Sequence, residues 1–96
     1  LDKPCGHVAH EVTSFVKKLT KSSKSGHAGT LDPDVSGVMP IALGKDTKML
    51  RFLSSKDKTY VGIIKFKEEV STDVVKDIFT KFEGDIIQMP PKKSAV

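Results

Sequence analysis

The 96-residue chain has no tryptophan, one tyrosine, one cysteine and a single arginine, Arg51. A lone Cys5 cannot close an internal disulfide, so stability has to come from buried apolar surface. No apolar run nears the ~20 residues that a helix needs to cross a bilayer, and no membrane partner is expected. The scarcity of arginine is also informative. All but one of the 16 basic residues are lysine, a point charge that suits phosphates better than the bidentate reading of base edges. Against 12 acidic residues this leaves a net charge of +4, a modest excess compatible with nucleic acid. Hydrophobic residues are 38% and charged residues 29% of the chain; both are spread along it, which favours a folded domain, or part of one, over a disordered polymer. The chain opens at Leu1 and stops at Val96 after a basic, proline-containing stretch. An excerpt from a longer protein is expected.

Local patterns predict a mixed α/β fold: a largely antiparallel sheet with about three helices. Leu1-Asp2-Lys3-Pro4 reads as a strand end meeting a turn. Val12, Phe15, Val16 and Leu19 fall at i, i+3, i+4, i+7, which predicts one buried helix face. Lys17, Lys18, Lys21 and Lys24 gather at its other side and C-terminal end. Val38 to Leu43 is a short apolar run broken by Pro40. A second helix is expected from Asp46 to Ser54, with Met49, Leu50 and Leu53 inward and Lys45, Lys48 and Arg51 outward. Lys58 to Phe66, rich in β-branched and aromatic residues, reads as a strand. A third helix is capped by Ser71 or Thr72 and followed by Gly84, with Val74, Val75, Ile78, Phe79 and Phe82 as its buried stripe. A last strand is expected at Asp85 to Gln88.

Chemistry gathers in one place. Residues 26 to 34, Gly-His-Ala-Gly-Thr-Leu-Asp-Pro-Asp, hold two glycines, a proline and two aspartates, a composition for an ordered loop rather than a helix. Asp32, Asp34, Ser36 and Gly37 imitate the first half of a calcium loop, but its twelfth position, which needs a bidentate glutamate, is Leu43. The Asp-x-Asp core is similar to a phosphatase motif, without the apolar strand that precedes that motif. His7, His10, His27 and Cys5 lack the paired spacing of a zinc site. By residues alone, the remaining alternative is that Asp32 or Asp34 only caps a turn through its side chain.

Gly26-His27-Ala28-Gly29-Thr30-Leu31-Asp32-Pro33, continued by Val35 to Gly44 and Thr47-Lys48, resembles the signature loop of the TruB-type pseudouridine synthases. Leu1-Asp2-Lys3-Pro4, with Gly6 and His10-Glu11-Val12, is similar to that family's first motif, and Lys58-Thr59-Tyr60 to its tyrosine segment. Phe82 to Gln88, with Pro90-Pro91 and Ser94-Ala95-Val96, resembles the archaeal and eukaryotic branch, the dyskerin-type subunit of box H/ACA particles. The first motif departs from the family at Val8-Ala9, where Thr-Ser is usual.

The resemblance implies an enzyme that turns uridine into pseudouridine in rRNA chosen by a guide RNA, or in tRNA, without metal or organic cofactor. It implies that Asp32 is the catalytic carboxylate, nucleophile or base. Tyr60 is implied to stack on the displaced uracil, and His27, Gly29 and Thr30 to lie beside it. Lys3 and Pro4 are implied to buttress the loop; Lys45, Lys48 and Arg51 are candidates for phosphate contact. Residues 1–96 would then be the N-terminal part of a catalytic domain, expected to be silent alone, with the downstream half and an RNA-binding domain outside it. Its partners would be substrate and guide RNA and the small companion proteins of the particle. Its compartment would be the cytoplasm in an archaeon or the nucleolus in a eukaryote. The alternative is a non-catalytic basic RNA-binding or assembly module of the same fold.

Overall fold

A computed structural model describes residues 1–90 and Lys92. Pro91, Lys93 and Ser94-Ala95-Val96, which carry the last part of the resemblance, lie outside the described residues. The chain forms two compact units, one of Leu1–Lys58 and one beginning at Thr59.

The first unit holds β1 (Asp2–Lys3), α1 (Ala9–Leu19), β2 (Ser25–His27), β3 (Gly37–Val38), β4 (Ile41–Leu43), a 3₁₀ helix (Gly44–Met49) and α2 (Leu50–Leu53). The expected break at Pro40 separates β3 from β4, because proline has no N–H for a ladder. The strands accordingly make two antiparallel ribbons. One sets Asp2 opposite Val38 and Lys3 opposite Gly37, extended by the Met39 N–H to the Leu1 carbonyl at 2.8 Å. The other sets Ser25, Gly26 and His27 opposite Leu43, Ala42 and Ile41, extended by the Gly44 N–H to the Lys24 carbonyl at 2.8 Å. Residues 28–36 leave the second ribbon and enter the first, so both stems of this loop are held by ladders.

Helix α1 forms where its periodicity predicts, but its buried face differs from the expected one. Ala9 and Thr13 are buried, whereas Phe15 is 64% and Leu19 71% exposed. The helix packs on β2, and small side chains one turn apart let the two backbones approach. Periodicity marks an apolar face; the neighbour decides which face is covered. Residues 46–54 are likewise not one regular helix. They open as a 3₁₀ turn and finish in a short α-turn, with Met49 and Leu53 exposed and only Leu50 directed inward, against Gly26.

In the second unit, α3 (Thr72–Thr80) forms where expected, and the Ser71 hydroxyl accepts the Val74 N–H at 3.4 Å as its N-cap. The strands expected at 58–66 and 85–88 are absent. Both segments are irregular and exposed, with Ile63 98% and Ile87 102% exposed. A strand needs a neighbour to take its backbone hydrogen bonds, and among the described residues neither segment has one. For the same reason the apolar stripe of α3 is not sealed. Val75, Ile78, Phe79 and Phe82, with Ile64, Phe66 and Val70, line an open apolar groove of about 390 Å³.

Candidate active-site loop

The loop is anchored from below by the turn after β1. Lys3 is completely buried, and its ammonium donates to the carbonyl oxygens of Pro4 at 2.8 Å, His7 at 2.7 Å and Pro33 at 3.3 Å. Three carbonyl dipoles use all three donors of the ammonium, which makes its burial tolerable. The Gly6 N–H donates to the same Pro33 carbonyl at 2.8 Å, and the Cys5 thiol to that of Asp34 at 3.2 Å. Pro4, which ends β1, thus opens a turn that grips the loop on the C-terminal side of Asp32.

Asp32 sits between these clamps. Its carbonyl accepts the Val35 N–H at 3.3 Å in a tight turn. Its side chain is half-buried, and Oδ1 is shielded from solvent without a hydrogen-bond partner among the described residues. An acceptor in that state costs roughly 1–3 kcal/mol, and buried polar atoms are nearly always paired. A carboxylate that only capped a turn would spend its oxygens on local N–H groups. Oδ1 makes no such bond to the described residues.

On the other stem, His27 ends β2 half-buried. Its Nδ1 lies 2.9 Å from the hydroxyl of Thr13, whose Oγ1 also lies 2.9 Å from the Ala9 carbonyl oxygen, and its Nε2 lies 3.3 Å from the exposed Thr30 hydroxyl. Gly29 has φ +67°, the left-handed region that favours glycine, and a Cβ there would touch the Lys58 stem at 3.4 Å. The Lys58 ammonium donates back to the carbonyls of Ser54 and Lys56.

Lys45 and Lys48 are exposed on the 3₁₀ helix, and Arg51 is exposed on α2 with its guanidinium 4.6 Å above the Phe52 ring. At three residues per turn, 3₁₀ geometry stacks positions i and i+3 on one side, which aligns the two lysines. Tyr60 belongs to the second unit, outside any strand and 80% exposed. Lys3, His27, Gly29, Thr30 and Asp32 are therefore gathered by one loop and its anchors. Gly6, a residue of the first motif, and Cys5 join them, and so does Thr13, which was not foreseen. Thr13 was legible only as a residue one turn after Ala9 in α1; nothing local marks it as a partner of His27. Among the described residues, no three histidine, cysteine or acidic side chains come together as a metal site would need.

Residues 17–96 match the family described as TruB family pseudouridylate synthase (N terminal domain). A protein of Pyrobaculum aerophilum named probable tRNA pseudouridine synthase B is 50% identical over 96 residues, covering all of this chain and 29% of that protein. One of the same name from Korarchaeum cryptofilum is 52% identical over 97 residues, covering 30% of its length. Among solved structures, one described as an H/ACA RNP bound to a substrate RNA containing 2'-deoxyuridine superposes with a TM-score of 0.84 at 44% identity, over 91% of this chain and 27% of that one. A Cbf5-Nop10-Gar1 complex gives a TM-score of 0.78 at 37% identity, over 99% and 29%. The chain spans about three-tenths of the length of these relatives.

Proposed function

Because the chain belongs to the TruB family of pseudouridylate synthases, which it matches over residues 17–96, we propose that the protein it represents isomerises uridine to pseudouridine in RNA, with Asp32 as the reacting carboxylate. The observation that carries this reading is the Oδ1 of Asp32, shielded and without a partner among the described residues, in a loop held at both stems. In the proposed reaction the carboxylate engages the nucleotide as nucleophile or base, the glycosidic C–N bond breaks, the uracil turns, and a C–C bond forms to its C5. The isomerisation conserves every atom and calls for no cofactor. His27, Gly29 and Thr30 are assigned to the displaced nucleotide, and the resemblance of Lys58-Thr59-Tyr60 to the family's tyrosine segment supports a stacking role for Tyr60.

Residues 1–96 are read as the N-terminal part of the catalytic domain. The substrate is uridine in tRNA, as the names of the relatives suggest, or in rRNA selected by a guide RNA. The likeness to H/ACA assemblies supports companion proteins as partners. The relatives named above are archaeal, and a cytoplasmic setting is part of this reading.

The test compares the full-length protein with Asp32→Asn on uridine-containing tRNA, with and without guide RNA and companion proteins. Turnover lost with RNA binding retained is expected. Equal pseudouridine yield from both would remove Asp32 from the chemistry; RNA binding without turnover by the unaltered protein would favour the non-catalytic module.

A further inference from the structure

We propose that Thr13 sets the hydrogen-bond polarity of the loop that carries Asp32, so that Thr30 meets the RNA as an acceptor and takes a donor from the displaced nucleotide, a ribose hydroxyl or a base N–H. Thr13 is 4% exposed, and its Oγ1 lies 2.9 Å from both the Ala9 carbonyl oxygen and the Nδ1 of His27. A carbonyl has no hydrogen to give. Were the Thr13 hydrogen aimed at Nδ1, two bare oxygens would face each other at 2.9 Å inside a buried contact. The hydrogen therefore points to Ala9, a back-bond that threonine commonly makes to the carbonyl four residues earlier, and Nδ1 must carry the hydrogen between itself and Oγ1. In the neutral imidazole this leaves Nε2 bare. The Thr30 hydroxyl, 3.3 Å away, then donates to Nε2, and its only hydrogen is committed.

Three links thus run in one direction, from exposed Thr30 through His27 to buried Thr13 and the helix carbonyl. What Thr30 offers to anything approaching from solvent is a lone pair. Phosphate oxygens have no hydrogen to match it, whereas a 2'-hydroxyl or a uracil N–H does. Ala9 stands where the resembling motif has a hydroxyl, and Thr13, one turn on, supplies one from the same face of α1. The inference rests on RNA being the substrate, but the relay itself does not.

The test is ¹⁵N NMR of the full-length protein labelled at its histidine imidazoles, at alkaline pH, with His27→Gln to assign the signals. His27 should show the Nδ1–H tautomer in the unaltered protein and in Thr13→Ser, and shift toward Nε2–H in Thr13→Val. An Nε2–H tautomer in the unaltered protein, or no change in Thr13→Val, overturns the relay. RNA affinity should weaken by a few-fold to about tenfold in Thr13→Val, the worth of one hydrogen bond, and recover in Thr13→Ser. If Thr13→Val does not fold, Thr30→Val, at an exposed position, should weaken RNA binding equally while His27 keeps Nδ1–H. Unchanged affinity in the valine variants overturns the acceptor role. Absence of pseudouridine formation by the unaltered protein would instead strike the proposed function and leave the tautomer result standing.

Discussion

Lys3 and Pro33 are thirty residues apart, yet the buried Lys3 ammonium lies 3.3 Å from the Pro33 carbonyl oxygen, one position beyond Asp32. The first strand of the chain thereby fixes the height of the loop. Lys3→Met keeps most of the buried stem but strips the donor from three carbonyls. A loss of roughly 2–4 kcal/mol in unfolding free energy is expected from chemical denaturation of the full-length protein. Under conditions where the variant stays folded, turnover should also fall, because a loop misplaced by a fraction of an ångström loses alignment with the substrate. Stability and turnover both unchanged would show that the Gly6 N–H alone anchors Pro33.

Gly26 is a packing constraint. A Cβ there would meet Leu50 Cδ1 at 2.7 Å, so Gly26→Ala must displace the end of the Leu50 side chain, at a cost of about 1 kcal/mol. Leu50→Ala opens the space and should make the second substitution cheaper. A double-mutant cycle is expected to return a favourable coupling of about 1 kcal/mol; strictly additive losses would contradict the contact.

Helix α1 lacks a favoured residue at both ends. Val8 is its N-cap without a side-chain hydrogen bond, and Lys21, just past its C-terminus, has φ +53°. Val8→Ser should stabilise the fold by about 1 kcal/mol by bonding a free N–H of the first turn. Lys21→Gly should add about the same by relieving a left-handed backbone that costs a non-glycine residue roughly 1–2 kcal/mol. Thermal unfolding of each variant and of the pair checks both, with near-additive gains expected for separate sites.

Lys45, Lys48 and Arg51 carry the electrostatic prediction. If they contact phosphates, RNA affinity should fall steeply with salt, and reversing all three to glutamate should flatten the log–log slope by about 2–3. An unaltered slope would mark them as a solvated face.

Some of this protein was written in residues close together in the chain. Pro40 splits the run from Val38 to Leu43 because proline carries no N–H, and Ser71 caps α3 because its hydroxyl reaches a backbone N–H three positions on. The loop around Asp32 was visible for the same reason: glycine, proline and aspartate constrain their own few bonds. Burial and pairing obey different physics. Tyr60 to Phe66 has strand-forming residues but no strand, since a ladder needs a second chain segment that no local pattern supplies. Phe15 and Leu19 read as core and lie exposed, while Thr13 reads as an ordinary helix residue and is buried against His27. The Lys3 ammonium finds the Pro33 carbonyl only because β1 pairs with β3. Residue chemistry alone set what each side chain could donate, accept or bury. The meeting of distant segments decided which of those capacities were used, because a hydrogen bond or an apolar contact exists only when its partner arrives.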